Sequence, residues 1–578
     1  MLNIKTKILI FIVALFFCLC SISCHIRETK CKVNTNETIE DSNSNITTET
    51  VTKEFDKKDN AENNNLKTEI INTETSIEKP TPATKTPEKM PLYSDIHTAL
   101  KDFNNKTTIN ADAVLDNALV EIDLKNNKII LKKNVNISKN IIFSKDCKVD
   151  LNGYTINLSK NSHIEIKENT NVTFFDNTGK GIIKKDNNLS RETLFIMNYG
   201  NLTIDGGTYK MNSGQIGTTI MLYCKDGMVH IKDGTFNVTT TNAFGYIIKV
   251  DKAKTIKIDD GSFNIDSKSG DVYAIKTYPP LINQTMNISI NGGRFDIYSE
   301  NGNTSGLDLH RGNKLYINNC YVKTHTVKSI NSITTPSVAL DFTMFKNAYI
   351  DGGTFIAIES DKMTNYDSLG LYESGNDNVV INGGKFYGNT SYSASYLTIN
   401  DGIFSGIHSG LQLYGREKVV INGGIYESPW HGGIYASGKE LHIQNAILGS
   451  PKWKESHFGK ETDFQPQYED GKYWDGTLYS CMYIGGPNND VVVYMNNCKL
   501  AYTENLTTEY SIVLTSNHGH CNSALYISNT DAIKKIRVDG ENDKGCKGNL
   551  YIRENVTYKG VYGKGYVETP KTAPLLNS

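Results

Sequence analysis

One short phrase recurs from about residue 150 onward and limits what this chain can fold into more than any other feature. It is a β-branched residue, a small polar residue, two glycines, one variable residue and an aromatic. It stands as Ile204-Asp205-Gly206-Gly207-Thr208-Tyr209, Ile290-Asn291-Gly292-Gly293-Arg294-Phe295, Ile350-Asp351-Gly352-Gly353-Thr354-Phe355, Ile381-Asn382-Gly383-Gly384-Lys385-Phe386 and, most compactly, in the run 419–438. Looser copies keep one glycine (Asp233-Gly234-Thr235-Phe236, Asp260-Gly261-Ser262-Phe263, Asp401-Gly402-Ile403-Phe404) or carry Asn-Asn-Cys instead, at 318–320 and 496–498. Counted from the second glycine or its equivalent, the copies fall at 207, 234, 261, 293, 320, 353, 384, 402, 424 and 446, so the steps are 27, 27, 32, 27, 33, 31, 18, 22 and 22 residues. A period in this range marks a stacked solenoid.

The flanking runs decide which solenoid. Thr255-Ile256-Lys257-Ile258, Asn287-Ile288-Ser289-Ile290 and Leu441-His442-Ile443 alternate apolar and polar residues with period two, which is a strand pattern and excludes helical repeats. Short strands turning at Gly and Asn/Asp, residues that tolerate positive φ, make a parallel β-helix. The isoleucine then points inward at the end of a strand. The aromatic two positions after the glycine points into the core under its equivalent one coil away, roughly 4.8 Å off. Rings at that spacing form a column, each pair adding about 0.5–1.5 kcal/mol beyond area burial.

Asp150-Leu151-Asn152-Gly153-Tyr154-Thr155-Ile156, Val172-Thr173-Phe174-Phe175-Asp176 and Gly179-Lys180-Gly181-Ile182-Ile183 resemble the opening coils of right-handed parallel β-helix, or pectin-lyase-like, proteins of bacterial surfaces. The resemblance covers about residues 110–560 and implies an all-β, single-stranded right-handed solenoid. It implies little about activity, because that architecture hosts lyases, hydrolases, adhesins and binding proteins.

From the start, the chain divides into a lipoprotein-type export signal (1–23), a linker (24–92), a cap with the first strands (93–145), the β-helix (146–565, with an insertion at 450–478) and a tail (566–578). Lys5 and Lys7 precede the apolar run 8–19, as in an exported signal. Ser21-Ile22-Ser23-Cys24 resembles a lipoprotein cleavage box with Cys24 as the lipidated residue, although Ser21 stands where that motif usually has an aliphatic; simple secretion and an uncleaved anchor are the alternatives. The linker is rich in Asn, Thr, Glu and Lys and buries too little to offset chain entropy, which predicts a disordered tether. Ile96, Leu100 and Phe103 have helical spacing, and a capping helix there would cover the open end of the first coil. Location is therefore expected at the bacterial membrane surface through a lipid anchor, or in the medium.

A net charge of −2, with lysine far above arginine, leaves no basic stripe and excludes nucleic acid as the partner. No cofactor and no metal are expected, and a monomer is. Cys481, Cys498, Cys521 and Cys546 are 17, 23 and 25 residues apart, near one coil each. Export permits disulfides among them, and with no paired Cys-x-x-Cys, zinc is the weaker alternative.

Chemistry is expected on a second strand set: Gly306-Leu307-Asp308-Leu309-His310, Leu369-Gly370-Leu371-Tyr372-Glu373, Gly410-Leu411-Gln412-Leu413-Tyr414 and Gly433-Ile434-Tyr435-Ala436. Aligned, their outward positions give a stripe of Asp308, His310, Tyr372, Glu373, Gln412, Tyr414 and Tyr435, with Trp430 and His431 at a neighbouring corner. Aromatics among acids and amides suit a glycan, rings on the sugar's apolar face and polar groups on its hydroxyls; tyrosine also simply suits half-buried strands. The aromatic insertion at 450–478, with Trp453 and Trp474, is either a recognition loop or a cover over the sheet. The expected ligand set is Trp430, His431, Tyr414, Tyr435, Tyr372, Trp453 and Trp474, for a polysaccharide or glycan.

No catalytic set is assigned. Arg294, Arg311 and Arg416 are isolated, so the Arg-x-Pro-x-x-Arg pattern of pectate lyases is missing. Asp259-Asp260, His518-Gly519-His520 and Asn529-Thr530-Asp531 stand in the wrong order for a polygalacturonase, and Asp260 belongs to a corner. Asp308 and Glu373 are separated by intervening coils and make a poor acid pair. Binding without catalysis is the leading expectation. A lyase or hydrolase with an unfamiliar site, and a structural or adhesive surface protein, are the alternatives.

Overall fold

A computed structural model describes residues 92–93, 95–105 and 119–568, less 188–191, 215–216, 279–284, 329–336, 360–367, 389, 394–395, 407–408, 415–417, 429–432, 438, 450–480, 485–490, 502–511, 516–523, 531–534, 540–547, 553–555, 557–559 and 565. All of these lie in one unit, Lys85–Ser578. The fold is all-β: a right-handed parallel β-helix in which each strand pairs with its equivalents one coil before and one coil after. Among the described residues no helix is long and apolar enough to cross a membrane.

Every coil has three faces. Thr255–Ile258, Ser262–Ser267 and Val272–Thr277 supply the first, second and third faces of one coil. Asn287–Ile290 and Arg294–Asn301 stack on the first two in parallel register. The strand Thr304–Ile317 then supplies the third face of that coil and, after a turn, the first face of the next, pairing with both Val272–Thr277 and Asn287–Ile290. The repeated phrase is the corner between the first and second faces. Its last isoleucines (Ile204, Ile290, Ile350, Ile381, Ile421) are fully buried, as the alternation requires.

The corner needs glycine for a stated reason. Gly353 has φ +109, and a Cβ there would meet the Cys320 carbonyl oxygen at 3.0 Å and the Phe355 ring at 3.1 Å. The residue therefore turns the chain and clears space for the following ring. Behind these corners the rings stack in two columns, Tyr209-Phe236-Phe263-Phe295 and Phe355-Phe386-Phe404-Tyr426, with neighbouring centroids 4.4–5.1 Å apart. Val322 separates the columns, in the coil whose corner is Asn318-Asn319-Cys320. Outside the corners, amides form a second ladder: Asn382 donates to Asp351 at 2.6 Å, Asn400 to Asn382 at 2.7 Å and Asn422 to Asn400 at 2.8 Å.

At the N-terminal end the helix Ile96–Asn105 buries Ile96, Ala99 and Leu100 and packs against the first strands. Asp95 caps it, its carboxylate accepting from the amides of His97 and Thr98 at 2.8 and 3.0 Å. Strands Leu92–Tyr93, Val120–Asp123 and Lys128–Leu131 pair antiparallel before the parallel coils begin. Cys147, Cys224, Cys320, Cys481 and Cys498 are buried free thiols, so no disulfide joins Cys481 to Cys498. Cys521 and Cys546 lie outside the described residues.

Candidate functional site

The third face gathers the chemistry. Strands Phe244–Val250, Val272–Thr277, Thr304–Ile317, Ser337–Ile350, Ser368–Ser374, Thr390–Ser393, Leu411–Leu413 and Ile434–Ala436 stack there in order. Their register runs Lys249, Lys276, Asp308, Asp341, Tyr372, Tyr392, Gln412, Tyr435 along one line. The residues just before them (Ile248, Ile275, Leu307, Leu340, Leu371) point inward and are fully buried. Strand alternation therefore turns this line away from the core, although Asp308 and Gln412 on it are themselves buried, at 6% and 2% exposure.

Its charged centre occupies three coils. Lys276 Nζ lies 2.9 Å from Asp308 Oδ2 and 3.8 Å from the centre of the Tyr273 ring, which itself stacks on Tyr246 at 5.1 Å. His310 Nε2 pairs with Asp308 Oδ1, and His310 Nδ1 bonds the Thr343 hydroxyl one coil on. The His310 amide donates to Thr277 Oγ1 at 2.6 Å, tying the strand to the coil before. One donor atom each from Asp308, His310 and Asp341 lies within 4.8 Å of the others. Immediately after His310 and Thr343 the chain turns through left-handed residues, Arg311 (φ 59) and Met344 (φ 60), and in the next coil through Gly375 (φ 67). Holding Arg and Met in that conformation costs roughly 1–2 kcal/mol each.

Electrostatics separate the two carboxyls. Burial and the neighbouring Asp308 charge push Asp341 up to about 7. Burial also works to raise Asp308, but its bond from His310 and the charge of Lys276 outweigh this and hold it below the usual carboxylate range. His310 is raised: burial opposes its charge, and Asp308 overcomes that. The two carboxyls are therefore pushed in opposite directions, Asp308 down by its histidine and lysine neighbours and Asp341 up to about 7 by burial and the Asp308 charge.

Beyond the centre runs a tyrosine row. Tyr372 stacks on Tyr392 at 5.0 Å, Tyr392 on Tyr414 at 5.0 Å, and Tyr414 meets Tyr435 at 5.8 Å, tilted by 40°. The Tyr414 hydroxyl donates to Gln412 Oε1 at 3.2 Å. Because each ring covers the next, the row offers edges and hydroxyls outward rather than the open ring faces expected for sugar platforms.

No protein-family model, curated protein or solved structure matches this chain.

The fold thus puts Tyr372 and Tyr435 on one line with Asp308 and Gln412, and places His310 and Tyr414 beside it, each two residues further along the chain. Trp430, His431, Trp453 and Trp474 lie outside the described residues, as do Cys24, His518 and His520. Glu373 is a correction. It does not belong to the outward stripe, because it follows outward Tyr372 and alternation turns it inward, opposite Phe342. Fully buried, its carboxylate accepts from Asn376 Nδ2 at 2.7 Å and from the Ser393 hydroxyl. Asp341, Lys276, Thr343 and Tyr392 were not anticipated. The signal was present for Asp341 and Thr343: Ala339-Leu340-Asp341-Phe342-Thr343 repeats the pattern of Gly306-Leu307-Asp308-Leu309-His310 one coil later.

Proposed function

We propose that this protein binds an extended polysaccharide along the outward line of its third face. The observation that supports this reading is the register itself, which repeats a hydrogen-bonding or aromatic group once per coil from Lys249 to Tyr435. A polymer lying parallel to the β-helix axis would meet a similar group every ~4.8 Å, and tyrosine hydroxyls and ring edges suit its hydroxyls and C–H bonds. The architecture fits a pectin-lyase-like surface protein. The export signal and Cys24 fit display at a bacterial membrane through a lipid anchor.

The test is affinity electrophoresis through gels containing neutral or uronate polysaccharides. A Tyr414→Ala/Tyr435→Ala double variant should bind its best polymer at least tenfold more weakly, a loss of roughly 1.4 kcal/mol. Unchanged retention by a folded double variant would remove the proposal.

A second reading is favoured by one specific observation: Asp308 and Asp341, in adjacent coils, bring carboxyl oxygens within 4.8 Å of each other beside His310. Glycoside hydrolysis uses such carboxyl pairs. Release of reducing or unsaturated ends from a uronate polymer, lost by about a hundredfold in Asp308→Asn, would establish a hydrolase or lyase; binding without product release would leave the binding reading alone.

A further inference from the structure

We propose that Asp308, His310 and Asp341 form a binding site for one divalent transition-metal ion of the zinc class, using Asp308 Oδ1, His310 Nε2 and a carboxylate oxygen of Asp341. This inference is independent of the glycan reading. It rests on how the donors are held.

The first observation is convergence. The three donor atoms sit within 4.8 Å of one another, on two neighbouring strands whose backbones are fixed by the coil above and the coil below. Two donors on one zinc ion lie at most about 4.2 Å apart, twice a bond length. The site therefore closes onto the ion by side-chain rotations on the order of 1 Å.

The second observation points to a missing ligand. Asp341 Oδ1 is shut off from solvent and accepts no hydrogen bond. A buried carboxylate oxygen without a partner is costly, and Asp341 holds a carboxylate oxygen within 4.8 Å of the Asp308 and His310 donor atoms one coil away. A cation placed among the three gives that oxygen a partner and replaces the direct His310–Asp308 contact.

The surrounding bonds match a metal site's outer shell. A ligating imidazole gives its other ring N–H to an acceptor that fixes tautomer and orientation, and here His310 Nδ1 meets the Thr343 hydroxyl. The second oxygen of Asp308 is taken by Lys276 Nζ at 2.9 Å, which leaves Oδ1 turned toward the histidine. Metal uptake displaces a proton from His310 Nε2, and one from Asp341 where that carboxyl holds it.

Ligand chemistry selects the ion. One imidazole and two carboxylates make three protein donors, the number found where zinc keeps an open position for water or substrate. Calcium takes six to eight oxygens, and an imidazole nitrogen favours zinc and its neighbours over calcium or magnesium.

The experiment uses the full-length protein, stripped with a chelator and titrated with Zn²⁺ in a calorimeter with no sugar present. Wild type should take up one equivalent with a Kd of about 1 μM or tighter. His310→Ala and Asp341→Asn should each weaken uptake by about a hundredfold or more, and Thr343→Val, which removes only the outer partner, by about tenfold. Should a variant fail to fold, Co²⁺ in the wild type keeps the question open to decision: visible d–d bands without a thiolate charge-transfer band fit the nitrogen and oxygen donors named here. A thiolate band would place the ion on cysteine and overturn the proposal. So would absence of a saturable equivalent in wild type, Ca²⁺ binding as tightly as Zn²⁺, or wild-type affinity in both folded ligand variants. Because sugar is absent, failure here leaves the polysaccharide reading standing, and failure of polysaccharide binding leaves this one.

Discussion

Aromatic rings stack both inside the coils of this molecule and along the third face outside them. The inner rings stack 4.4–5.1 Å apart and within 17° of parallel. The outer tyrosines start at the same spacing, 5.0 Å, but fan out from 11° to 26° to 40° between Tyr372 and Tyr435. The spacing of the inner rings and of Tyr372 on Tyr392 comes from the backbone, because a residue repeated at one register position meets its copy one coil away, whereas Tyr414, two residues past Gln412, reaches its neighbours across the register. Stacking is therefore a consequence of the fold and does not by itself mark a binding surface. What separates the ladders is burial: the inner rings are sealed by corner glycines and adjoining coils, while the outer ones are only partly covered.

The largest effect should come from breaking the inner ladder. Phe263 is fully buried and stacked on both sides, by Phe236 at 4.9 Å and Phe295 at 4.4 Å. Phe263→Ala should cost about 3–5 kcal/mol through lost burial and the cavity left behind. Stability in a solenoid couples mainly to neighbouring repeats, so hydrogen exchange should accelerate most in the strands Met228–Thr240, Ser262–Ser267 and Arg294–Asn301. A loss below about 1 kcal/mol would mean that the column contributes little to holding the coils together.

The same contrast explains what could be read in the sequence. Inner positions were legible because architecture repeats them: the glycine corner, the isoleucine before it and the ring after it recur with a counted period, and each took its expected place. The cap helix was legible from Ile96 and Leu100. The outer line was legible only in part, since nothing in the fold requires a particular residue there and no period announces it. Asp308, His310, Tyr372, Tyr414 and Tyr435 stand out through flanking Gly and Leu residues, whereas before Asp341 the same pattern carries alanine in place of glycine and is easily passed over. Glu373 is misplaced because the aligned stripe takes it together with its neighbour Tyr372, and adjacent residues of a strand point to opposite faces. Its partners, Asn376 and Ser393, come from a turn and from the next coil, and only the folded register assembles them.

A smaller effect tests a charge on the wrong side of the wall. Lys185 is buried in the inner column between Leu158 and Met211, and its ammonium donates to the carbonyls of Ser162 at 2.7 Å and Leu194 at 2.8 Å. Burial pushes its pKa down to about 8 from the usual 10.5. Between those values the unfolded chain binds a proton that the folded chain does not, so this group makes stability rise with pH across the window and lowers it at pH 7. Lys185→Met supplies the side chain already used one coil on, at Met211. It should raise stability at pH 7 by about 1–3 kcal/mol and abolish this group's share of the rise between pH 8 and 10, measured as the difference between variant and wild-type melting temperatures at the two ends. An unchanged pH profile would show that Lys185 keeps its charge at no cost.

The smallest stability effect is the one the functional reading needs. Tyr435 is half-buried and tilted against Tyr414, and Tyr483 stands opposite it in the next coil. Removing its ring should cost about 0.5–1.5 kcal/mol of aromatic contact, well below the cost at Phe263, because the coil beneath stays packed through fully buried Ile434. Thermal melts of Tyr435→Ala should lie within a few degrees of wild type, while retention on a polysaccharide gel falls. If Tyr435→Ala instead destabilises as much as Phe263→Ala, the two ladders serve one architectural purpose. The outer line would then have no surplus to commit to a ligand, and the case for a polysaccharide along it would rest on the charged centre alone.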